Sequence, residues 1–299
     1  MESTKKRVLA IINPIAGTKN KAKIPQIIDQ FLDKELWSCE LRYTERVGHA
    51  NELALDAVSR GFDCVVAIGG DGTVNEVARA LTGTKTALAI VPCGSGNGLA
   101  RHLHIPMNMA RAVEVLNADH VETFDYCAVN ERPFFCTCGV GFDAQVSYRF
   151  ANEGTRGLVT YVRTTISEYF RYRPQPYELF VDDEHIHEDA FVIAVCNAAQ
   201  YGNNAYIAPR ATMQDGELDV TVIHRFNLLS AAVLGARLFT RSIDRDRHIT
   251  IYRGRHIVIK RARADVMHID GDPVMMPARL DITCHPQGIN IMVPPHSQP

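Results

Sequence analysis

Residues 68–81, IGGDGTVNEVARAL, set three glycines and an aspartate between two apolar patterns of different period. Before them, Cys64-Val65-Val66-Ala67-Ile68 is a short continuous apolar run, the pattern of a buried strand in a parallel sheet. After them, Val74, Val77, Ala78 and Leu81 recur at the three- and four-residue spacing of an amphipathic helix. Thr73 stands three residues before Glu76, which predicts a capping box. The stretch therefore reads as strand, glycine turn, capped helix. Glycine lets a ligand approach the backbone, and the free amides of a helix N-terminus favour an anion. The plainer alternative is a tight turn in which Thr73 and Glu76 serve only as caps. No Gly-Lys-Ser/Thr follows, so this is not a Walker A loop.

Two more runs repeat the arrangement. Arg7 to Ile12 empties into NPIAG (Asn13 to Gly17), and Ala87 to Val91 into PCGSGNGLAR (Pro92 to Arg101). In an open α/β sheet such loops gather at the carboxyl ends of the strands, where ligands bind. Three of them predict a nucleotide or phosphate site on a doubly wound parallel sheet.

With 299 residues, 46% hydrophobic, 22% charged and a formal net charge of −2, the chain has room for two domains and a sizeable core. That charge argues against a general nucleic-acid binder, whose affinity rests on neutralising phosphates. The first residues run straight into a strand, which predicts no signal peptide, and no apolar run nears the ~20 residues of a membrane span. Eight scattered cysteines predict reduced thiols in a cytoplasmic protein. The twelve histidines show no metal-site grouping and read mostly as surface or loop residues.

After VETFDY (Val121 to Tyr126) the texture changes to short strand-like pieces divided by turns, among them PFFCTCGVGFDAQV, AFVIAVCNA and RHIVIKRA. VDDEH (Val181 to His185) predicts a hairpin, and helical patterns interrupt near 158–169 and 228–242. The expected division is a nucleotide-binding α/β domain over 1–122, to which the tail 288–299 could return, and a mainly antiparallel β domain over 123–287. Two acidic turns stand out there, Asp215-Gly216-Glu217 and Asp270-Gly271-Asp272. Each reads as an Asp-Gly hairpin turn, or as carboxylates that hold Mg²⁺ or take a proton.

In order, NPIAG, IGGDGTVNEV, PCGSGNGLAR, GVGFDA (Gly139 to Ala144), APRATMQDGELDV (Ala208 to Val220) and HIDGDP resemble the diacylglycerol-kinase catalytic-domain family, bacterial soluble lipid kinases and their sphingosine-kinase relatives. The likeness spans nearly the whole chain. It implies an N-terminal domain of NAD-kinase/phosphofructokinase type, a C-terminal β-sandwich, and ATP in the cleft. It also implies ATP contacts from Asn13, Pro14 and Gly17, from Thr44, from Gly69, Gly70, Asp71, Gly72, Thr73, Asn75 and Glu76, and from Ser95, Asp270 and Gly271. A structural Mg²⁺ is implied at the Asp215 carboxylate with the backbone carbonyls of Thr212 and Glu217. The family's base is a glutamate in an Asp-Gly-Glu turn; Asp272 holds that position here, one methylene shorter. Asp71 is the rival, as organiser of the acceptor hydroxyl or of the catalytic Mg²⁺.

A lipid acceptor implies work at a membrane, on the inner face for a cytoplasmic protein. Three basic runs, Tyr169 to Pro174, Phe239 to His248 and Tyr252 to Arg263, together with the apolar Leu228–Phe239 stretch, predict a face for anionic headgroups. Outward faces of ordinary strands and helices are the alternative. Phosphorylation of NAD or another small molecule, and non-catalytic nucleotide or lipid binding, remain rival functions. Homo-oligomerisation is left open.

Overall fold

A computed structural model describes residues 5–17, 23–152, 165, 167–169 and 171–295. The chain divides into two units, Met1–Tyr126 with Pro286–Pro299, and Cys127–His285. In the first unit β1 (Lys6–Ile12), α1 (Ile24–Phe31), β2 (Trp37–Tyr43), α2 (His49–Ser59), β3 (Cys64–Gly69), α3 (Asp71–Leu81) and β4 (Ala87–Pro92) alternate. A short α4 (Gly98–His102) and α5 (Met109–Asn117) follow. The strands run parallel in the order β2-β1-β3-β4.

Pleating sends successive side chains to opposite faces of this sheet. Val8, Ala10, Val66 and Ile68 share one side with Ile28 of α1, Leu32 just after it, and Val113 and Leu116 of α5. Leu9, Ile11, Val65 and Ala67 take the other side and are equally buried, which is why these strands read as continuous apolar runs. Each fully buried Leu, Ile or Val contributes about 1.5–3 kcal/mol. The register decides what this core is for. Ile12 pairs with Ile68, and Ile68 with Val91, so three strands end abreast and their loops start side by side.

The chain leaves the first unit along β5 (Val121–Val129). In the second unit β6 (Arg132–Phe134) and β7 (Thr137–Gly141) precede α6 (Phe142–Asn152). Then come β8 (Gln175–Val181), β9 (Glu184–Ala190), β10 (Val192–Cys196) and β11 (Leu218–Ile223). Helix α7 (Leu228–Phe239) is followed by β12 (Ile249–Gly254), β13 (His256–Lys260), β14 (Asp265–Ile269) and β15 (Asp272–Met276). Finally β16 (Arg279–Met292) returns the chain to the first unit, where Ile291 pairs in parallel with Leu88.

Within the second unit, one antiparallel sheet runs β12-β11-β10-β7-β14-β15, and β13 joins β8 and the first half of β16 in another. Cys138, Ile193, Val195, Val220 and Val222 of the first sheet bury against Leu179, Ile257, Ile259, Leu280 and Ile282 of the second. The alternate residues of β10, Val192, Ala194 and Cys196, face a separate apolar layer with Ile207, Ala211 and Leu234. The β-sandwich expectation holds, as does the hairpin at Val181–Glu184, with Asp182 at φ 50. All eight cysteines are free thiols, and seven are buried.

Two expectations fail locally. The strand-like reading of PFFCTCGVGFDAQV stops at Gly141, and Phe142–Asn152 is a helix. Gly141 turns to φ +107, the Phe142 amide donates to the Phe191 carbonyl at 2.9 Å, and a side chain at 141 would meet that same oxygen at 2.5 Å. Glycine alone fits this break. The pattern over 228–242 ends as a helix at Phe239, because Arg241 adopts φ 53. Of the helix expected near 158–169, residues 158–164 and 166 lie outside the described residues.

Candidate functional site

At the carboxyl ends of β1, β3 and β4 the three loops are held together by contacts that only glycine permits. A Cβ on Gly94 would stand 2.7 Å from the Gly70 Cα, and one on Gly17, at φ +61, 1.9 Å from the Cys93 carbonyl oxygen. The Cys93 amide donates to the Gly69 carbonyl at 2.7 Å, and the Asn13 amide to the Ile68 carbonyl at 3.0 Å. Gly69 leaves space for the Thr73 side chain, whose Oγ1 accepts from Asn13 Nδ2 at 2.9 Å. Thr44 donates its amide to the Ile12 carbonyl at 2.9 Å, beside the first loop.

Asp71 opens α3, and Gly70 at its N-cap has no side chain to cap the first-turn amides. The Asp71 carboxylate reaches instead to the third loop. Its Oδ2 accepts from the Asn97 amide at 2.9 Å and its Oδ1 from the Gly98 amide at 2.7 Å. A Cβ on Gly96 would press on the same carboxylate at 2.9 Å. Asn97, in the left-handed region, closes the loop on itself, accepting from the Gly94 amide at 3.0 Å and donating to the Gly94 carbonyl at 2.8 Å. Pro14 and Ser95 are exposed in their loops, and Gly72 is exposed in the first turn of α3. The result is a concentration of backbone amides and a helix N-terminus with Asp71 as the buttress, an arrangement suited to phosphate.

The capping box does not form. Helix α3 begins at Asp71, two residues before Thr73, so Thr73 is inside the helix and buried. The Glu76 carboxylate turns to a different helix: its oxygens accept from the Gly48 amide at 2.8 Å and the Ala50 amide at 3.1 Å. Gly48, at φ 83, starts α2 without a side-chain cap of its own, and Glu76 supplies one. Asn75 is buried in α3. Among the expected nucleotide contacts, Asn75 is thus inside α3 and Glu76 supports the start of the helix alongside.

In the second unit, Asp270-Gly271 is the two-residue turn joining β14 to β15. Both residues have φ > 0 (49 and 88), and Ile269 pairs with Asp272 across it, the geometry of a type I′ hairpin. The Asp270 side chain points inward and accepts the amides of Phe135 (2.9 Å), Cys136 (2.8 Å) and Thr137 (3.0 Å). Burial pushes its carboxyl above the usual range, and the three amide donors oppose that rise. Asp270 therefore anchors the turn through these three amides. Asp272 follows at an exposed position, the first residue of β15.

The other acidic turn, 212–217, leads into β11. Asp215 Oδ1 accepts the Glu217 amide at 3.1 Å, with Gly216 at φ 72. Asp215, Glu217 and Asp219 all pair with one guanidinium, that of Arg253 on β12. Three carboxylates against one fixed cation leave excess negative charge. Burial, with Asp215 and Glu217 nearby, pushes the Asp219 carboxyl up to about 6 despite Arg253. Among the described residues no group of three or more His, Cys, Asp or Glu is arranged to hold a metal. A Mg²⁺ that keeps most of its water needs only a carboxylate and carbonyls, and the surplus charge at this turn fits one.

One constellation escaped the sequence. His268 of β14 is buried, and its Nε2 lies 3.0 Å from Asp143 Oδ2, which also accepts the Tyr201 hydroxyl at 2.9 Å. Gly139 makes room for the pair, since a Cβ there would meet both. His268 is no surface histidine; its alternation with buried Met267 and Ile269 was the available signal.

Comparison with known proteins agrees with this architecture. Residues 7–129 match the model of the diacylglycerol kinase catalytic domain, and residues 136–293 that of the YegS C-terminal NAD kinase beta sandwich-like domain. A Mycobacterium tuberculosis protein named diacylglycerol kinase is 30% identical over 263 residues, 83% of this chain and 82% of that protein. A Pseudomonas putida protein named "Probable lipid kinase YegS-like" is 27% identical over 86% of each chain. A crystal structure of a Bacillus anthracis diacylglycerol kinase superposes with a TM-score of 0.77 at 20% identity, covering 99% of this chain and 100% of that one. An Archaeoglobus fulgidus NAD kinase in complex with ATP gives 0.55 at 12%, covering 97% and 95%. The fold is the one shared by these diacylglycerol kinase and NAD kinase structures. This chain belongs to the diacylglycerol-kinase catalytic-domain family, in its YegS-like branch.

Two outcomes test the assignments in the second unit. Asp270→Ala strands three amides and should lower unfolding free energy in denaturant titration by about 3 kcal/mol or more. For Asp219, a carboxyl raised in the folded state holds its proton more tightly when folded. Its contribution is therefore full below about pH 4 and is lost as pH rises to about 6. Thermal melts of metal-free protein should decline over that window, and Asp219→Asn should flatten the decline.

Proposed function

We propose that this chain is an ATP- and Mg²⁺-dependent lipid kinase that transfers the γ-phosphoryl group to a hydroxyl of diacylglycerol, phosphatidylglycerol or a sphingoid base. The observation that carries it is the fusion of three strand-end loops through Gly17, Gly70 and Gly94, buttressed by Asp71, into one bed of backbone amides. Family membership supplies the reaction class.

In this reading the amides of the loops and the start of α3 hold the triphosphate, and Asn13 fixes the first loop through Thr73. Asp272 accepts the proton of the lipid hydroxyl as its oxygen attacks the γ-phosphorus, and the bond to the β–γ bridging oxygen breaks to release ADP. Its short side chain is set by the hairpin turn, whose own position Asp270 fixes from inside. Bound Mg²⁺ supplies neutralisation of phosphate charge. Asp215, with the carbonyls of Thr212 and Glu217, would hold a second, structural Mg²⁺, where the Asp215–Glu217–Asp219 group carries more negative charge than Arg253 offsets.

The test is incubation of the purified protein with γ-labelled ATP, Mg²⁺ and a panel of diacylglycerol, phosphatidylglycerol, sphingoid base, ceramide and NAD. Label on a lipid is expected. Label on NAD alone selects a small-molecule kinase, and nucleotide or lipid binding without transfer selects a regulator. Asp272→Asn should lower kcat by about 100-fold or more while ATP affinity holds. Full activity in that variant removes Asp272 from the role of base.

A further inference from the structure

The exposed face of α7 is unusual for a helix of a folded unit. Asn227 caps it, accepting the Ser230 amide at 2.9 Å, and Leu234 anchors it against Ile207, Ala211 and Ile243. Its other side carries Leu229, Ala232, Val233, Ala236 and Phe239, all exposed. Their spacing, 229, 232, 233, 236, 239, is one continuous helical stripe. Leu229 is 84% exposed, Phe239 62% and Val233 49%, with Leu228 beside them at 59%. A contiguous apolar patch of this kind marks an interaction surface.

Charge identifies the partner. Arg225 lies two residues before the cap of α7, and Arg241, Arg245 and Arg247 follow its last turn, all exposed. The nearby acids are already committed: Asp244 pairs with Arg210 at 3.1 Å, and Asp246 with Arg237 at 3.4 Å and His248 at 2.8 Å. Among the described residues Arg225, Arg245 and Arg247 make no ion pair. Three cations of the Tyr252 to Arg263 run are spent internally. Arg253 serves the acidic turn, Arg261 donates to the carbonyls of Val266, Asp265 and Met276, and Lys260 pairs with Glu178.

We propose that α7 is a docking helix that lies flat on an anionic lipid surface, its apolar stripe at the acyl boundary and the arginines at its two ends on headgroups. Twelve residues span only about 18 Å, and no helix among the described residues is long and apolar enough to cross a bilayer, so the helix rests in the interface. A second copy of the chain fits poorly, because either end of a paired helix meets arginine with arginine. The proposal deepens the lipid-kinase reading and rests on it only for the kind of surface the protein meets.

The test is co-sedimentation of the full chain, without ATP, with vesicles of phosphatidylserine and phosphatidylcholine, or of phosphatidylcholine alone. Binding to the anionic vesicles is expected to be at least about tenfold tighter and to weaken with added salt. Leu229→Glu with Val233→Glu, and separately Arg245→Glu with Arg247→Glu, should each reduce it by about tenfold or more. A polarity-sensitive dye on Leu229→Cys in a Cys39→Ser background should shift to an apolar signal only when vesicles are added. Unchanged binding in both double variants overturns the proposal. So does an apolar dye signal before vesicles are present, which means the chain covers the face itself. A wild-type dimer that Leu229→Glu with Val233→Glu converts to monomers, with vesicle binding retained, assigns the face to a second copy. Vesicle binding without any phosphoryl transfer leaves the docking helix standing and removes the kinase reading; transfer to a detergent-dispersed short-chain diacylglycerol without vesicle binding does the reverse.

Discussion

Gly70 and Gly94 approach so closely that a single methyl group on Gly94 would collide with the opposite backbone. That contact is what turns three parallel strand ends into one site. The register of β1, β3 and β4 brings the loops level, but level loops with ordinary side chains would stand apart. With glycines facing each other, the Asp71 carboxylate can span from the first residue of α3 to the Asn97 and Gly98 amides. A charge-assisted hydrogen bond of this kind is worth about 1.5–3 kcal/mol. Here two of them fix the relative position of two loops, while Asn13 and Thr73 fix the remaining pair.

The second unit applies the same economy to its acidic turns. Asp270 is consumed by three amides and gives the β14–β15 hairpin a fixed position, so that Asp272 projects from a rigid strand end. Asp215, Glu217 and Asp219 instead share one arginine and stay electrostatically unsatisfied. Two superficially similar Asp-Gly motifs thus divide into an anchor and a charge reservoir, according to what backbone lies behind each.

Much of this was legible in the chain, and the exceptions have physical reasons. Continuous apolar runs such as Cys64–Ile68, short, rich in β-branched residues and followed by glycine, read as strands covered on both faces, and the glycine-rich segments after them mark the strand ends. The I′ turn at Asp270-Gly271 follows from two residues that tolerate φ > 0. Sequence spacing misled where a partner lies far along the chain. Thr73 and Glu76 have capping-box spacing, yet Glu76 caps a helix that starts more than twenty residues earlier. Arg253 meets Asp215, Glu217 and Asp219 through a strand pairing that no local pattern encodes. FDAQV reads as strand until Gly141, at positive φ, is seen to end the ladder. His268 looks like any histidine until its strand neighbours place it inside, against Asp143.

Backbone amides of Gly70–Thr73, Ser95 and Gly96 form the proposed bed for the triphosphate, while those of Gly94, Asn97 and Gly98 brace it from within. Amide hydrogen exchange of the protein with and without MgATP addresses it directly. Slowed exchange at Gly70–Thr73, Ser95 and Gly96 is expected when nucleotide is added. ATP that binds by calorimetry while these amides exchange at unchanged rates would contradict the assignment.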